Sequence, residues 1–242
     1  MKTREINENP EWAFIVPDGI ADWDAPSHWE RERLASMQAH LKPGMVLYDI
    51  GVEHGWLSAV YGSFAGHGNM VLVEPSPEMW VNIRKTWAAN GFDDPIASFQ
   101  MFCGDKPPNA TKPQVEAWPV CSEGFEDAAE VDAMPYRILG RDETVGTTTI
   151  DQIASVVKRF PDAITVDVEG FELTVMRGAE KTLKKHRPIV WLSVHPDLME
   201  RDAGVTDVQE LFDFMTSCGY GREYLGTDHE QHHALFPLEY RR

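Results

Sequence analysis

Long hydrophobic runs, paired cysteines and a surplus of basic residues are all missing from this sequence. No stretch approaches the ~18 consecutive apolar residues that a membrane span needs. The amino-terminal Met1-Lys2-Thr3-Arg4-Glu5 leads into polar sequence with no apolar signal core, so the chain is expected in the cytoplasm and away from membranes. Cysteine occurs only as Cys103, Cys121 and Cys218, without the close spacing of a zinc knuckle or redox pair, and a reduced compartment fits that usage. Lysine and arginine number 22 against 39 aspartates and glutamates, a formal net charge of -17. Such a balance repels phosphate backbones and anionic headgroups, so nucleic acids and lipid surfaces are not expected as partners.

The 242 residues, 43% of them hydrophobic, are enough to bury one substantial core. Residues 1–40 read as an N-terminal arm and capping helix. Pro10, Pro17, Gly19 and Pro26 give the first 27 residues a loose character. Ser27 is placed to cap a helix carrying Leu34, Met37 and Leu41, which Pro43-Gly44 ends. From residue 41 to 242, short apolar runs alternate with helical patterns. Strands are expected at 45–50, 71–74, 98–103, 163–168 and 189–194, with helices at 57–64, 78–90, 150–160, 172–185 and 208–218. A hairpin from 221–225 and 233–236 closes the chain. This order predicts an α/β, Rossmann-like, doubly wound and mostly parallel sheet with a C-terminal antiparallel hairpin, its ligand crevice at the carboxyl ends of the strands. Residues 106–147 break the rhythm and read as a lid insertion over that crevice.

The most informative turn is Asp49-Ile50-Gly51-Val52-Glu53-His54-Gly55, between the first strand and a helix that carries Ser58 in its first turn. Its Gly-x-x-x-Gly spacing lacks the middle glycine of a dinucleotide fingerprint, and Glu53 stands where a pyrophosphate would meet the helix start. A carboxylate there suits S-adenosylmethionine, which has no phosphate and carries a cationic sulfonium and ammonium. Glu74, 25 residues beyond Asp49 and followed by Pro75-Ser76, is placed to accept both ribose hydroxyls. Gly104 and Asp105, after the third expected strand, are candidates to meet the adenine amine, although Asp105 also suits a plain turn.

The runs Thr147-Thr148-Thr149-Ile150-Asp151-Gln152-Ile153, Ile164-Thr165-Val166-Asp167-Val168-Glu169-Gly170-Phe171-Glu172 and Val175-Met176-Arg177-Gly178-Ala179 resemble the FkbM methyltransferase signature. The resemblance covers roughly Leu41 to Pro196. It implies the class I methyltransferase fold, S-adenosyl-L-methionine as cofactor and methyl transfer to oxygen, commonly on sugars or polyketide-like products. Two positions depart from it. Thr165 replaces a lysine before Asp-x-Glu-Gly, and Ser193 replaces a glutamate two residues before His195. The second departure puts in doubt any metal bridging the fourth and fifth strand ends.

Asp167, Glu169 and His195 fall at those strand ends and are the expected catalytic group. His195 is the first candidate for the base, because imidazole titrates near neutral pH, and a carboxylate would orient it or hold the acceptor. A divalent cation on Asp167, Glu169 and His195 is not favoured, since this ligand mixture is not diagnostic. His229, His232 and His233 crowd the hairpin and read as a solvated turn with one or two packed rings. Trp23, Trp29 and Trp118 offer flat faces to a sugar, though core packing explains tryptophans equally well. The reading is an O-methyltransferase acting on a saccharide or other small-molecule hydroxyl. The alternatives are a nicotinamide-dependent oxidoreductase, disfavoured by Glu53, and a non-catalytic glycan-binding protein on the same fold.

Overall fold

In the computed structural model, which describes residues 1–18, 29–106, 116–119 and 145–240, the apolar runs become the buried middle of a seven-stranded sheet. In chain order the elements are β1 (Lys2–Glu5), β2 (Ala13–Val16), α1 (Arg31–His40), β3 (Leu47–Ile50), α2 (Trp56–Ala65), β4 (Met70–Val73), α3 (Pro77–Asn90), β5 (Ala97–Phe99) and β6 (Met101–Cys103). There follow β7 (Gly146–Thr148), α4 (Ile150–Val157), β8 (Ala163–Val166), α5 (Glu172–Arg177), α6 (Glu180–His186), β9 (Ile189–Val194), α7 (Pro196–Ala203), α8 (Gln209–Ser217), β10 (Tyr220–Thr227) and β11 (Gln231–Pro237). The main sheet runs β10-β11-β9-β8-β3-β4-β5. Its five central and right-hand strands are parallel, and β11 and β10 close the other edge antiparallel. The chain order reverses between β3 and β8, the switch point where such sheets open a crevice.

Alternate residues of each strand feed two cores. Leu47, Met70, Leu72, Ala163, Ile189 and Trp191 pack under α1, α2 and α3, and Tyr48, Ile50, Val71, Val73, Ile164, Val166, Val190 and Leu192 pack under α4, α5, α6 and α8. The period of two puts Asp49, Thr165 and Ser193 on the first of these faces. Polar side chains on that face cluster toward the strand ends, and α1 and α2 cover them.

Several expectations need correction. The amino-terminal arm is structured: β1 and β2 pair antiparallel from Lys2–Val16 to Glu5–Ala13, and the Asn90 amide and carbonyl clamp both backbone groups of Ile15. The helix expected from Ser27 begins at Arg31, after Glu30 turns through the left-handed region, while Ser27, Trp23 and Pro26 lie outside the described residues. The third expected strand divides. β5 joins the main sheet, whereas β6 pairs with β7 in a separate two-stranded sheet. The helix expected over 172–185 breaks at Gly178-Ala179, because the Gly178 carbonyl turns out to the Asp151 amide and Asp151 accepts hydrogen bonds from Lys181, Thr182 N–H and the Thr182 hydroxyl. Most of the 106–147 insertion lies outside the described residues. Its end is strand β7, which leads into Thr149, the side-chain cap of α4.

Candidate functional site

The loop after β3 owes its path to close backbone approach. Gly51 sits at φ +90, and a β-carbon there would fall 1.6 Å from the Asp167 carbonyl oxygen, so the β3 and β8 loops touch only because position 51 has no side chain. Gly55 turns through φ +76 to start α2. Inside this turn the Ser58 hydroxyl donates to Asp49 Oδ2 at 2.5 Å. Burial pushes the Asp49 carboxyl up to about 7, with the Ser58 bond and Arg33 pulling the other way.

At the end of β4, Glu74 accepts the backbone N–H of Glu53 on Oε2 and that of Ser76 on Oε1, both at 2.9 Å. Burial lifts its carboxyl to about 7 against these two bonds. Each oxygen keeps a further lone pair, so the carboxylate is fixed by the backbone and still able to receive two ribose hydroxyls. Pro75 and Ser76 lead into α3, where the Ser76 hydroxyl donates to Glu78. Asp49, Gly51, Glu53, Gly55, Ser58, Glu74, Pro75 and Ser76 therefore line two adjacent strand-end turns, as the sequence led us to expect. Gly104 and Asp105 lie on neither of these two turns. They follow β6 rather than a strand of the main sheet, with the Gly104 N–H on the Thr148 carbonyl and the Gly104 carbonyl against Gly178.

Beside this crevice the structure gathers four carboxylates around His195, the residue between β9 and α7. Its Nδ1 lies 2.8 Å from Glu172 Oε1, and its Nε2 contacts Glu230 Oε2 and lies 3.7 Å from Asp167 Oδ1 and 3.8 Å from Glu169 Oε2. Burial alone would depress the imidazole, but Glu172, Glu230 and Asp167 reverse this and hold it up at about 11. On their own, these carboxylates favour the charged ring over the neutral base expected from the sequence. Asp167 is driven well above the usual carboxylate range by burial and by Glu230, and Glu169 is raised by burial. Glu169 holds φ +51 and Gly170 φ +100, an unusual backbone for glutamate of the kind that persists where the surroundings enforce it. The next position must be glycine, since the Leu198 backbone lies 2.6 Å from where a Gly170 β-carbon would be.

The two departures from the family pattern meet at one side chain. Arg33, buried on α1, donates to the hydroxyls of Thr165 and Ser193, to Glu30 Oε2 at 2.9 Å, and lies 3.9 Å from Asp167 Oδ2. A cation absent from β8 thus arrives from α1, and Glu230 of the β10–β11 turn supplies a carboxylate to His195 from outside β9. Asp228 of the same turn accepts the Glu30 N–H at 2.7 Å and contacts His232 Nε2 at 2.8 Å. That staples the turn to the start of α1.

Arg33, Glu30, Glu172 and Glu230 were not among the sequence candidates for the site. The three hairpin histidines separate: His229 is exposed, His232 is buried beside Asp228, and His233 faces Phe212 and Tyr224 on the opposite side of β11. Trp29 is buried, and Trp118 packs on Trp87 and donates to Asp94, so neither is a free platform for a sugar.

Comparison with known proteins identifies the family and the fold. Residues 49–221 match the Methyltransferase FkbM domain. Among solved structures, methyltransferase FkbM from Methylobacillus flagellatus KT superposes with a TM-score of 0.50 at 15% identity, over 80% of this chain and 43% of that one. A ribosomal protein L11 methylase from Lactobacillus delbrueckii subsp. bulgaricus gives 0.51 at 11% identity, over 92% and 83%. A protein-L-isoaspartate O-methyltransferase of Triticum aestivum is 28% identical over 120 residues, 43% of this chain and 52% of that protein. The chain thus spans about half the length of the first relatives it matches. The fold is that of class I methyltransferases, and the chain belongs to the FkbM methyltransferase family, whose methyl donor is S-adenosylmethionine.

Proposed function

We propose that this chain transfers the methyl group of S-adenosylmethionine to a hydroxyl of a small-molecule acceptor, and that the acceptor is a saccharide. The observation that carries the reading is the adjacency of two unlike sites joined at Gly51. One is a backbone-fixed carboxylate, Glu74, suited to a nucleoside ribose. The other is the open carboxylate mouth of Asp167 and Glu169. Methyl transfer is an in-line displacement, so holding acceptor oxygen, methyl carbon and sulfur in line supplies most of the acceleration.

In this reading Asp49, Gly51, Glu53, Gly55, Ser58, Glu74, Pro75 and Ser76 hold the donor. Glu169, whose side chain is 63% exposed at the mouth, accepts the proton of the attacking hydroxyl. Its raised pKa makes it a stronger base than an ordinary surface glutamate. Asp167 receives a second hydroxyl, and His195 positions both carboxylates from behind. Carboxyl oxygens able to accept hydroxyl protons match the donor-rich edge of a polyol, and Phe171, exposed next to Gly170, offers a flat face for a sugar ring.

The test is transfer of labelled methyl from S-adenosylmethionine to a panel of mono- and oligosaccharides, with hydroxyl-free analogues and aliphatic alcohols for comparison. Label on saccharide hydroxyls supports the reading. Label confined to nitrogen or carbon acceptors overturns O-methylation, and label on non-sugar alcohols alone overturns the acceptor class.

A further inference from the structure

We propose that Asp167, His195 and Glu230 form a divalent-cation site for a first-row transition ion of the Mn2+ or Zn2+ type. Three separate elements converge there: the loop after β8, the end of β9 and the β10–β11 turn. One ligand atom from each lies within 4.8 Å of the other two. Ligand bonds of about 2.1 Å set neighbouring donor atoms about 3.0–3.5 Å apart, so His195 Nε2 and Asp167 Oδ1, 3.7 Å apart, need little adjustment, while the direct His195–Glu230 contact must open to admit the ion.

The ring orientation is the second observation. His195 Nδ1 is taken by Glu172, whose Oε1 also accepts the Gly170 N–H at 3.0 Å, which aims Nε2 at the carboxylates, where a bound cation would take the place of the Nε2 proton. Metal-ligating histidines are oriented in this way by a carboxylate behind the ring.

The third observation is unmatched charge. The Glu230 side chain is 2% exposed, and its Oε1 meets no N–H donor, having the buried Glu30 carboxyl beside it and His229 Nε2 no nearer than 3.5 Å. Oε2 of fully buried Glu172 is likewise without one. Buried carboxylate oxygens without partners are costly. Arg33 does not answer them, because its bonds go to Glu30, Thr165 and Ser193.

A neighbouring trio, Glu30, Glu230 and His232, is also within ligand range, but Arg33 already sits on Glu30 and Asp228 holds His232 Nε2. The Asp167 group is the better site because Asp167 is 26% exposed and leaves room for outer ligands. One imidazole among carboxylates selects Mn2+ or Zn2+ over the all-oxygen preferences of Ca2+ and Mg2+. The cation's place beside the acceptor mouth rests on the proposed methyl transfer. There it would bind the acceptor hydroxyl and lower its pKa. Its binding to the protein does not depend on that reading.

The test is titration of chelator-stripped protein with MnCl2, followed by the paramagnetic signal of free Mn2+ and by calorimetry, with S-adenosylhomocysteine binding measured on the same samples. The expected result is one Mn2+ per chain with micromolar affinity. It should weaken about tenfold or more in Glu230→Gln, His195→Gln and Asp167→Asn, stay unchanged in His229→Ala, and leave S-adenosylhomocysteine affinity unaltered. Asp167→Asn, at the open edge, reads the site even where a buried variant unfolds. Absence of saturable binding at millimolar Mn2+, or binding that all three variants retain, overturns the proposal. Loss of S-adenosylhomocysteine binding by the wild-type protein would instead count against the methyltransferase reading.

Discussion

Replacing Gly51 with alanine is expected to force apart the two loops that shape the crevice. The new β-carbon would lie 1.6 Å from the Asp167 carbonyl oxygen, where ordinary contact begins at 3.4 Å, so the loops must separate by about 1.8 Å. Alanine must also hold φ +90, at about 1–2 kcal/mol. Overpacking typically adds about 1–3 kcal/mol. A total loss of about 2–5 kcal/mol lowers Tm by roughly 5–15 °C in a domain of this size. Gly178→Ala is the control: its β-carbon would fall 1.9 Å from the Gly104 carbonyl oxygen, with Thr149 its other neighbour. Thermal unfolding by circular dichroism and calorimetric titration with S-adenosylhomocysteine, below both transitions, separate the effects. Both variants should lose stability, and only Gly51→Ala should lose about tenfold or more in affinity. Wild-type affinity in Gly51→Ala, or an equal loss in Gly178→Ala, would refute the reasoning.

Arg33→Met strands Glu30 and Asp167 beside a buried void of charge, and denaturant unfolding should show a loss of about 3–5 kcal/mol; adding Glu30→Gln should recover part of it, and an unchanged midpoint in the single variant would contradict the pairing. The Glu74 carboxyl is raised from 4.5 to about 7 by burial, facing Glu53 and Asp49. Its neutral form is therefore favoured by folding, and the stability it contributes is lost as pH rises from about 4.5 through 7. Glu74→Gln should flatten that slope in a series of melts, and ribose hydroxyls, which favour the ionised form, should make wild-type affinity for S-adenosylhomocysteine climb through the same range; a pH-independent affinity would tell against Glu74 as the ribose partner. Glu169→Gln should cut kcat about a hundredfold with cofactor affinity intact, and a normal kcat would remove Glu169 as the base.

How much of this could be read from the sequence depended on distance along the chain. β9 runs over the expected residues 189–194, because an uninterrupted apolar run flanked by Pro188 and Pro196 leaves little choice. The Asp49–Glu74 turns were legible because their spacing is local to one strand-helix-strand unit. α7 was missed although Pro196 occupies its first turn, a standard helix-opening position. The division of β5 from β6 carries no periodic mark, since Met101 and Phe102 continue the apolar pattern while changing partner. Arg33 and Glu230 were out of reach for a different reason. They meet the β8 and β9 ends only through the tertiary fold, across separations of 132 residues from Arg33 to Thr165 and 160 from Arg33 to Ser193. One sign was available. Thr165 and Ser193 stand on the same strand face, and two lost charges there call for replacements from the elements that cover it.

The central claim is that the Asp49–Glu74 turns hold S-adenosylmethionine, and calorimetric titration of the wild-type protein and Glu74→Ala with S-adenosylhomocysteine tests it most directly. The account predicts saturable one-to-one binding by the wild type and a loss of tenfold or more in Glu74→Ala at unchanged fold. Failure of the folded wild-type protein to bind, or equal binding by both proteins, would contradict it.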